Sequence, residues 1–191
     1  MLVISPLLAF GQIYHAGEDP HTASTKPNWE ISAGWVRSNM SVYGHYSDRL
    51  LSNETGVSAR ALYYVVPWLA VGPEGIWFSS KSFPTSNRFQ NTRYGGVLKF
   101  ILTPQTQPAA YLLAGGGSSK REMSYAGGMK KTSSNSAYAL VGAGAEVTIA
   151  YGLFVAAEVQ GIYNAKKKID GLSMLKHSWE TIFSLRGGIR F

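Results

Sequence analysis

From Trp29 onward, apolar residues recur at every second position, the period of a strand with one apolar face. Trp29, Ile31, Ala33 and Trp35 alternate with Glu30, Ser32 and Gly34. Val57, Ala59, Ala61, Tyr63 and Val65 form a second run. Leu69, Val71, Pro73, Gly75 and Trp77 form a third, set off by the tight turn Val66-Pro67-Trp68. Tyr94, Gly96, Leu98, Phe100 and Leu102 make a fourth, and Tyr111, Leu113 and Gly115 a fifth. Ala137, Ala139, Val141, Ala143, Ala145 and Val147 make the sixth. Leu153, Val155, Ala157, Val159 and Tyr163 make the seventh, and Thr181, Phe183, Leu185, Gly187, Ile189 and Phe191 the last. The pattern predicts about eight strands within one domain, residues 28–191.

The connections alternate in length. Those near Pro67, Gln105 and Tyr151 are short, whereas those near Ser47, Thr85, Tyr125 and Lys168 span roughly 12 to 20 residues between apolar runs. Composition sharpens this picture. Only 15% of residues are charged, against about a quarter in soluble domains, while Gly (21), Tyr (11), Phe (8) and Trp (5) are abundant. No uninterrupted apolar run is long enough for a transmembrane helix; Ala137 to Ala157, the nearest, contains Glu146 and three glycines and reads as two strands. A sheet that meets lipid must close on itself, because lipid cannot satisfy an open edge. The expected fold is therefore all-β: a transmembrane antiparallel up-and-down β-barrel with short turns at one end and long loops at the other.

The last residues, Phe183-Ser184-Leu185-Arg186-Gly187-Gly188-Ile189-Arg190-Phe191, end on an aromatic preceded by apolar residues at alternate positions, with Gly187 as the gap. This ending resembles the C-terminal assembly signal of bacterial outer-membrane proteins. Strand count and loop pattern resemble the OmpA-like and opacity-type small barrels. The resemblance implies a location in the bacterial outer membrane, with the short turns and both termini periplasmic. It also implies that the barrel-assembly machinery reads Phe191. It names no activity.

Strand parity turns Glu30, Arg60, Glu74, Arg93, Lys99, Glu146, Glu158, Glu180, Arg186 and Arg190 inward. Charges facing lipid are costly, whereas inside they can pair. An eight-stranded barrel is just wide enough for side chains to fill it. We therefore expect a salt-bridge network of Glu30, Arg60, Glu74, Arg93, Glu146, Glu158, Glu180 and Arg186 that closes the lumen. Lys99 and Arg190 lie near the rim, where water can solvate them. A gated ion path lined by Arg60, Glu74 and Arg186 is the competing reading. Trp29, Tyr63, Tyr111 and Phe191 are expected to form one outward aromatic girdle, and Trp35, Trp77, Tyr94, Tyr163 and Trp179 the other. A soluble lipocalin-like barrel would reverse the two faces.

Strands and tail carry seven acids and seven bases, so the net charge of +7 falls on the long loops, as eleven bases against four acids. Lys120, Arg121, Lys130, Lys131, Lys166, Lys167 and Lys168 are the candidate ligand-binding residues of this basic rim. The expected partners are outer-membrane lipids and lipopolysaccharide, a surface polyanion or another membrane protein. No nucleic-acid motif accompanies the charge. Cysteine is absent, which excludes disulfides and thiolate metal sites, and no metal or other cofactor is expected.

His45 with Ser47, and His177 with Ser178, are the candidates for a lipid A deacylase-like hydrolase. In a strand, however, His177 and Ser178 face opposite sides, which argues against a dyad there. A non-enzymatic structural or adhesive role is preferred. At the start of the chain, Leu2 to Phe10 has the length of a signal-peptide apolar core but no preceding Lys or Arg, so residues 1–11 read as a truncated signal peptide. Residues 12–27, with Pro20 and Pro27, read as a flexible periplasmic lead-in.

Overall fold

Each of the eight alternating runs becomes a strand of one closed barrel. The computed structural model describes residues 28–43, 49–81, 88–124, 131–165, 168–169, 172–173 and 179–191. The strands are β1 (Trp29–Tyr43), β2 (Arg49–Val66), β3 (Leu69–Lys81), β4 (Arg88–Ile101), β5 (Ala109–Ser124), β6 (Lys131–Ala150), β7 (Leu153–Asn164) and β10 (Trp179–Arg190). Two short strands, β8 (Lys168–Ile169) and β9 (Leu172–Ser173), pair with each other between β7 and β10. Strands adjacent in sequence pair antiparallel, and β10 returns to β1 to close the order β1-β10-β7-β6-β5-β4-β3-β2. A closed order leaves no unpaired edge, as a bilayer requires.

The three short connections lie where expected. Pro67 and Trp68 alone separate β2 from β3. Between β6 and β7, Tyr151 (φ 49°) and Gly152 (φ 80°) both take positive φ, the backbone of a two-residue hairpin turn whose twist matches the strands it joins. In the third connection, Thr103 Oγ1 accepts the Ala110 N–H at 2.8 Å, and Gln107 Oε1 accepts the Thr148 N–H at 3.0 Å.

Three of the four opposite connections are shorter than the sequence suggested, because the strands are longer; the one between Asn164 and Trp179 keeps the expected length. β1 continues to Tyr43 and β2 starts at Arg49; β3 reaches Lys81 and β4 starts at Arg88; β5 reaches Ser124 and β6 starts at Lys131. These extensions are rich in Ser, Asn, Arg and Lys. Where both faces of a strand meet water or headgroups, no apolar alternation reveals it.

The outward face is apolar. Trp29, Tyr63 and Phe191 are exposed near the turn end, and Trp35, Trp77, Tyr94, Tyr163 and Trp179 toward the loop end. Trp29–Tyr63 and Tyr163–Trp179 meet edge to face at centroid distances of 5.2 and 5.5 Å. This distribution rules out the soluble barrel with its apolar face inside. Tyr111 is the exception to the expected girdle: it points inward and is 1% exposed. β5 carries large apolar residues on both faces here, Tyr111 and Leu113 inside and Leu112 outside, so periodicity could not orient it.

Candidate functional site

The interior is a column of ion pairs packed among apolar side chains, and it divides into three tiers. At the turn end, Lys99 Nζ bridges Glu30 Oε2 (2.8 Å) and Glu146 Oε2 (2.7 Å). Arg190 bridges the same two carboxylates, with Nε 3.1 Å from Glu30 Oε2. Two bases and two acids from β1, β4, β6 and β10 thus form a ring across the barrel. The Tyr64 hydroxyl donates to Glu30 at 2.7 Å, and Arg190 lies 4.5 Å from the Phe154 ring centroid. Lys99 is therefore buried and paired, not solvated at the rim as the sequence suggested; Tyr111 and Phe154 stack against its ammonium at 4.6 and 5.5 Å and keep water away.

The middle tier is centred on Glu158. Arg60 donates to both of its oxygens, at 2.7 and 3.1 Å, and Arg186 Nε donates to Oε2 at 3.0 Å. Both arginines also donate to Glu74 Oε1, at 2.8 Å from Arg60 and 2.5 Å from Arg186. Tyr111 (2.8 Å), Gln160 (3.0 Å) and Ser184 (3.1 Å) complete the donors to Glu158. Gly144 makes room for the Tyr111 ring: a Cβ there would sit 2.5 Å from Tyr111 Cζ.

At the loop end, Arg93 forks onto Glu180, with Nη1 at 3.1 Å from Oε1 and Nη2 at 2.5 Å from Oε2. Ser38 and Asn164 also donate to Glu180, at 2.6 and 3.3 Å, and Arg121 donates to Asn164 Oδ1. Ser119 donates to Asn91 at 3.0 Å. Val36, Leu62, Ile76, Phe78, Ile162 and Ile182 fill the space between tiers.

All eight residues proposed for the interior network are buried in the barrel, and the structure brings Arg60, Glu74 and Arg186 together. Sequence reading missed two members. Arg121, assigned to the basic loops, is 1% exposed inside the barrel, and Glu54, also counted with the loops, is 0% exposed. Both lie on strand extensions, and continuing the parity past Ser119 in β5 and Ser58 in β2 would have placed them. The lumen then holds six acids (Glu30, Glu54, Glu74, Glu146, Glu158, Glu180) and six bases (Arg60, Arg93, Lys99, Arg121, Arg186, Arg190). Removing one charge of each sign from the rim leaves ten bases against three acids, still +7.

Of the remaining rim residues, Lys120 is exposed on β5 and pairs with Glu122 at 2.8 Å. Lys131 and Lys168 start strands. Lys130, Lys166 and Lys167 lie outside the described residues, as do His45, Ser47, His177, Ser178 and residues 1–27. Among the described residues, no three ligand-type side chains converge as a metal site. The described lumen thus offers acids and bases held mostly in ion pairs.

Comparison with known proteins agrees with this geometry. The family model described as the outer membrane protein beta-barrel domain matches residues 7–186. Neisserial surface protein A superposes with a TM-score of 0.64 at 14% identity, over 86% of this chain and 97% of its own. The attachment invasion locus protein Ail of Yersinia pestis follows at 0.57 and 18%, over 87% and 99%; it has also been solved in complex with the heparin analogue sucrose octasulfate. The N-terminal β-barrel domain of Pseudomonas aeruginosa OprF superposes at 0.52 and 14%, over 87% and 99%. No curated protein sequence matches the chain.

Proposed function

The chain belongs to the outer-membrane β-barrel family of bacteria, and from that premise we propose that it is a non-enzymatic, non-conducting anchor that presents a basic rim to polyanions outside the cell. The observation that carries this reading is the separation of charge. The lumen is balanced and filled, while the net +7 resides beyond it. A filled, neutral lumen offers no continuous water path. An unbalanced rim, by contrast, raises the local concentration of anions.

The loop end is then the outer end, and both termini are periplasmic. Arg49, Lys81, Arg88 and Lys131 mark the loop-end limits of four strands, so the positive charge gathers at one end. Ail, of the same fold, has been captured with a sulfated ligand. For the present chain the support is its own charge, on Lys120, Lys130, Lys131, Lys166, Lys167 and Lys168.

Cells displaying the barrel should adhere to immobilised heparin, and added salt should weaken the adhesion. Replacing Lys166, Lys167 and Lys168 by Ser should reduce it severalfold at equal surface level, since those three lysines supply much of the rim excess. Adhesion that is unchanged in the variant and insensitive to salt would contradict the reading.

A further inference from the structure

The turn end of the barrel holds a space that the ion-pair tiers leave open. It is a vestibule of about 600 Å³ with Glu146 and Arg190, two members of the turn-end ring, as its floor. Tyr64, Val66, Ile101 and Ala109 wall it, and Pro67 and Pro104 stand at its rim. Val66 shares the inward parity of Leu62 and Tyr64 on β2, so lipid does not account for it. A mostly apolar concavity with a few polar groups at its base is the usual form of a binding site. On one side the connection between β4 and β5 leans across, since Gln107, which also lines the space, accepts the Thr148 N–H on β6. Asn28, just before β1, lines the side opposite β5.

The floor limits the occupant. Its two acids and two bases already balance, so a further charge brought there would be buried without a partner. The walls suit large apolar side chains, and the floor suits a neutral hydrogen-bonding group.

The chain itself supplies both. Residues 12–27 lead into Asn28, whose carbonyl accepts the Tyr64 N–H at 2.8 Å. That bond fixes the end of the segment at the edge of the vestibule. Ile13 and Tyr14 are the only adjacent pair of large apolar side chains in residues 12–27. Glu18, Asp19 and Lys26 carry charges that the balanced floor disfavours. Residues 15–27 join the pair to Asn28; a coil of that length spans roughly 20 Å. An eight-stranded mouth is roughly 15 Å wide at about 4.8 Å per strand, so the pair can reach every part of it. Tethering holds the pair at an effective concentration on the order of millimolar, where modest apolar burial is enough for occupancy.

We propose that Ile13 and Tyr14 of the chain's own lead-in fill this vestibule, with the Tyr14 hydroxyl hydrogen-bonded at the Glu146–Arg190 floor. The lead-in then closes the turn end beneath the column of ion pairs. The contact lies within one chain and holds whichever way the barrel faces the membrane.

The test uses the full-length barrel isolated from outer membranes and placed in lipid nanodiscs. The chain has no cysteine. Val66→Cys therefore puts a single thiol on the vestibule wall, and Thr106→Cys puts one on the exposed connection outside the lining. The readout is the rate of labelling by a small water-soluble maleimide. Ile13→Ser with Tyr14→Ser should speed labelling of Val66→Cys about tenfold, equivalent to about 1.4 kcal/mol of lost contact. Labelling of Thr106→Cys should not change. A synthetic peptide of residues 12–20, added at millimolar concentration, should restore protection in the double variant; the same peptide with serine at both positions should not. Should Val66→Cys fail to assemble, Gln105→Cys, also in the lining but exposed, gives the same reading. Equal labelling rates with and without the Ile13–Tyr14 pair, or equal protection by the two peptides, would overturn the proposal.

Discussion

Glu158→Ala should be among the most destabilising single substitutions in the lumen, costing about 3–5 kcal/mol, the range for removing one partner of a buried charge pair. Glu158 is the shared acceptor of Arg60, Arg186, Tyr111, Gln160 and Ser184. Its loss leaves two buried guanidiniums with only Glu74 between them. Water entering the gap would reduce the cost. Glu158→Gln, which keeps the volume but not the charge, should fall between wild type and the alanine variant. Adding Arg60→Ala to Glu158→Ala should cost less than the sum of the single changes, because the second removes a charge the first has stranded. Urea or thermal titration of the folded gel band measures all of these. A loss within experimental error for Glu158→Ala would show that the middle tier is solvated rather than packed.

Phe191→Ala should act at a different step. The Phe191 backbone pairs twice with Trp29, both bonds at 3.0 Å, and helps close the β1–β10 seam. Its ring is 62% exposed to the lipid side and packs little protein. Alanine keeps both backbone bonds, so the folded barrel should melt near the wild-type temperature. If the assembly machinery reads the terminal aromatic, the amount of folded barrel in the outer-membrane fraction should fall severalfold. Equal amounts of folded variant and wild type would remove Phe191 from the assembly signal.

The two substitutions also mark what the amino-acid pattern could and could not reveal. Phe191 and the outward aromatics were legible because lipid enforces one rule along every strand: apolar at alternate positions. The interior acids and bases were legible as its complement. Glu30, Arg60 and Glu74 sit opposite Ile31, Ala61 and Gly75 in every turn of the pleat. Tyr111 was misassigned because the rule says nothing when both faces are apolar. Arg121 and Glu54 were misassigned because the strands outrun the membrane, and beyond it neither face must be apolar. Their side chains still turn inward, since pleating continues whether or not lipid is present. The apolar filling of the lumen, from Val36 to Ile182, was also hidden. A hydrophobic residue at an inward position looks like a fault in the alternation until the barrel closes around it. The partner choices within each tier come from shear and tilt, which bring β2, β3, β7 and β10 to one level and which no single strand encodes.

A closed lumen has a direct electrical signature, which planar-bilayer recording reads. Purified wild-type barrel, inserted at low and at high salt, should show little or no steady conductance, because three tiers of paired charges and the side chains between them fill the interior. Large, stable openings in the wild-type protein would show that these charges line a pore and that the lumen is not closed.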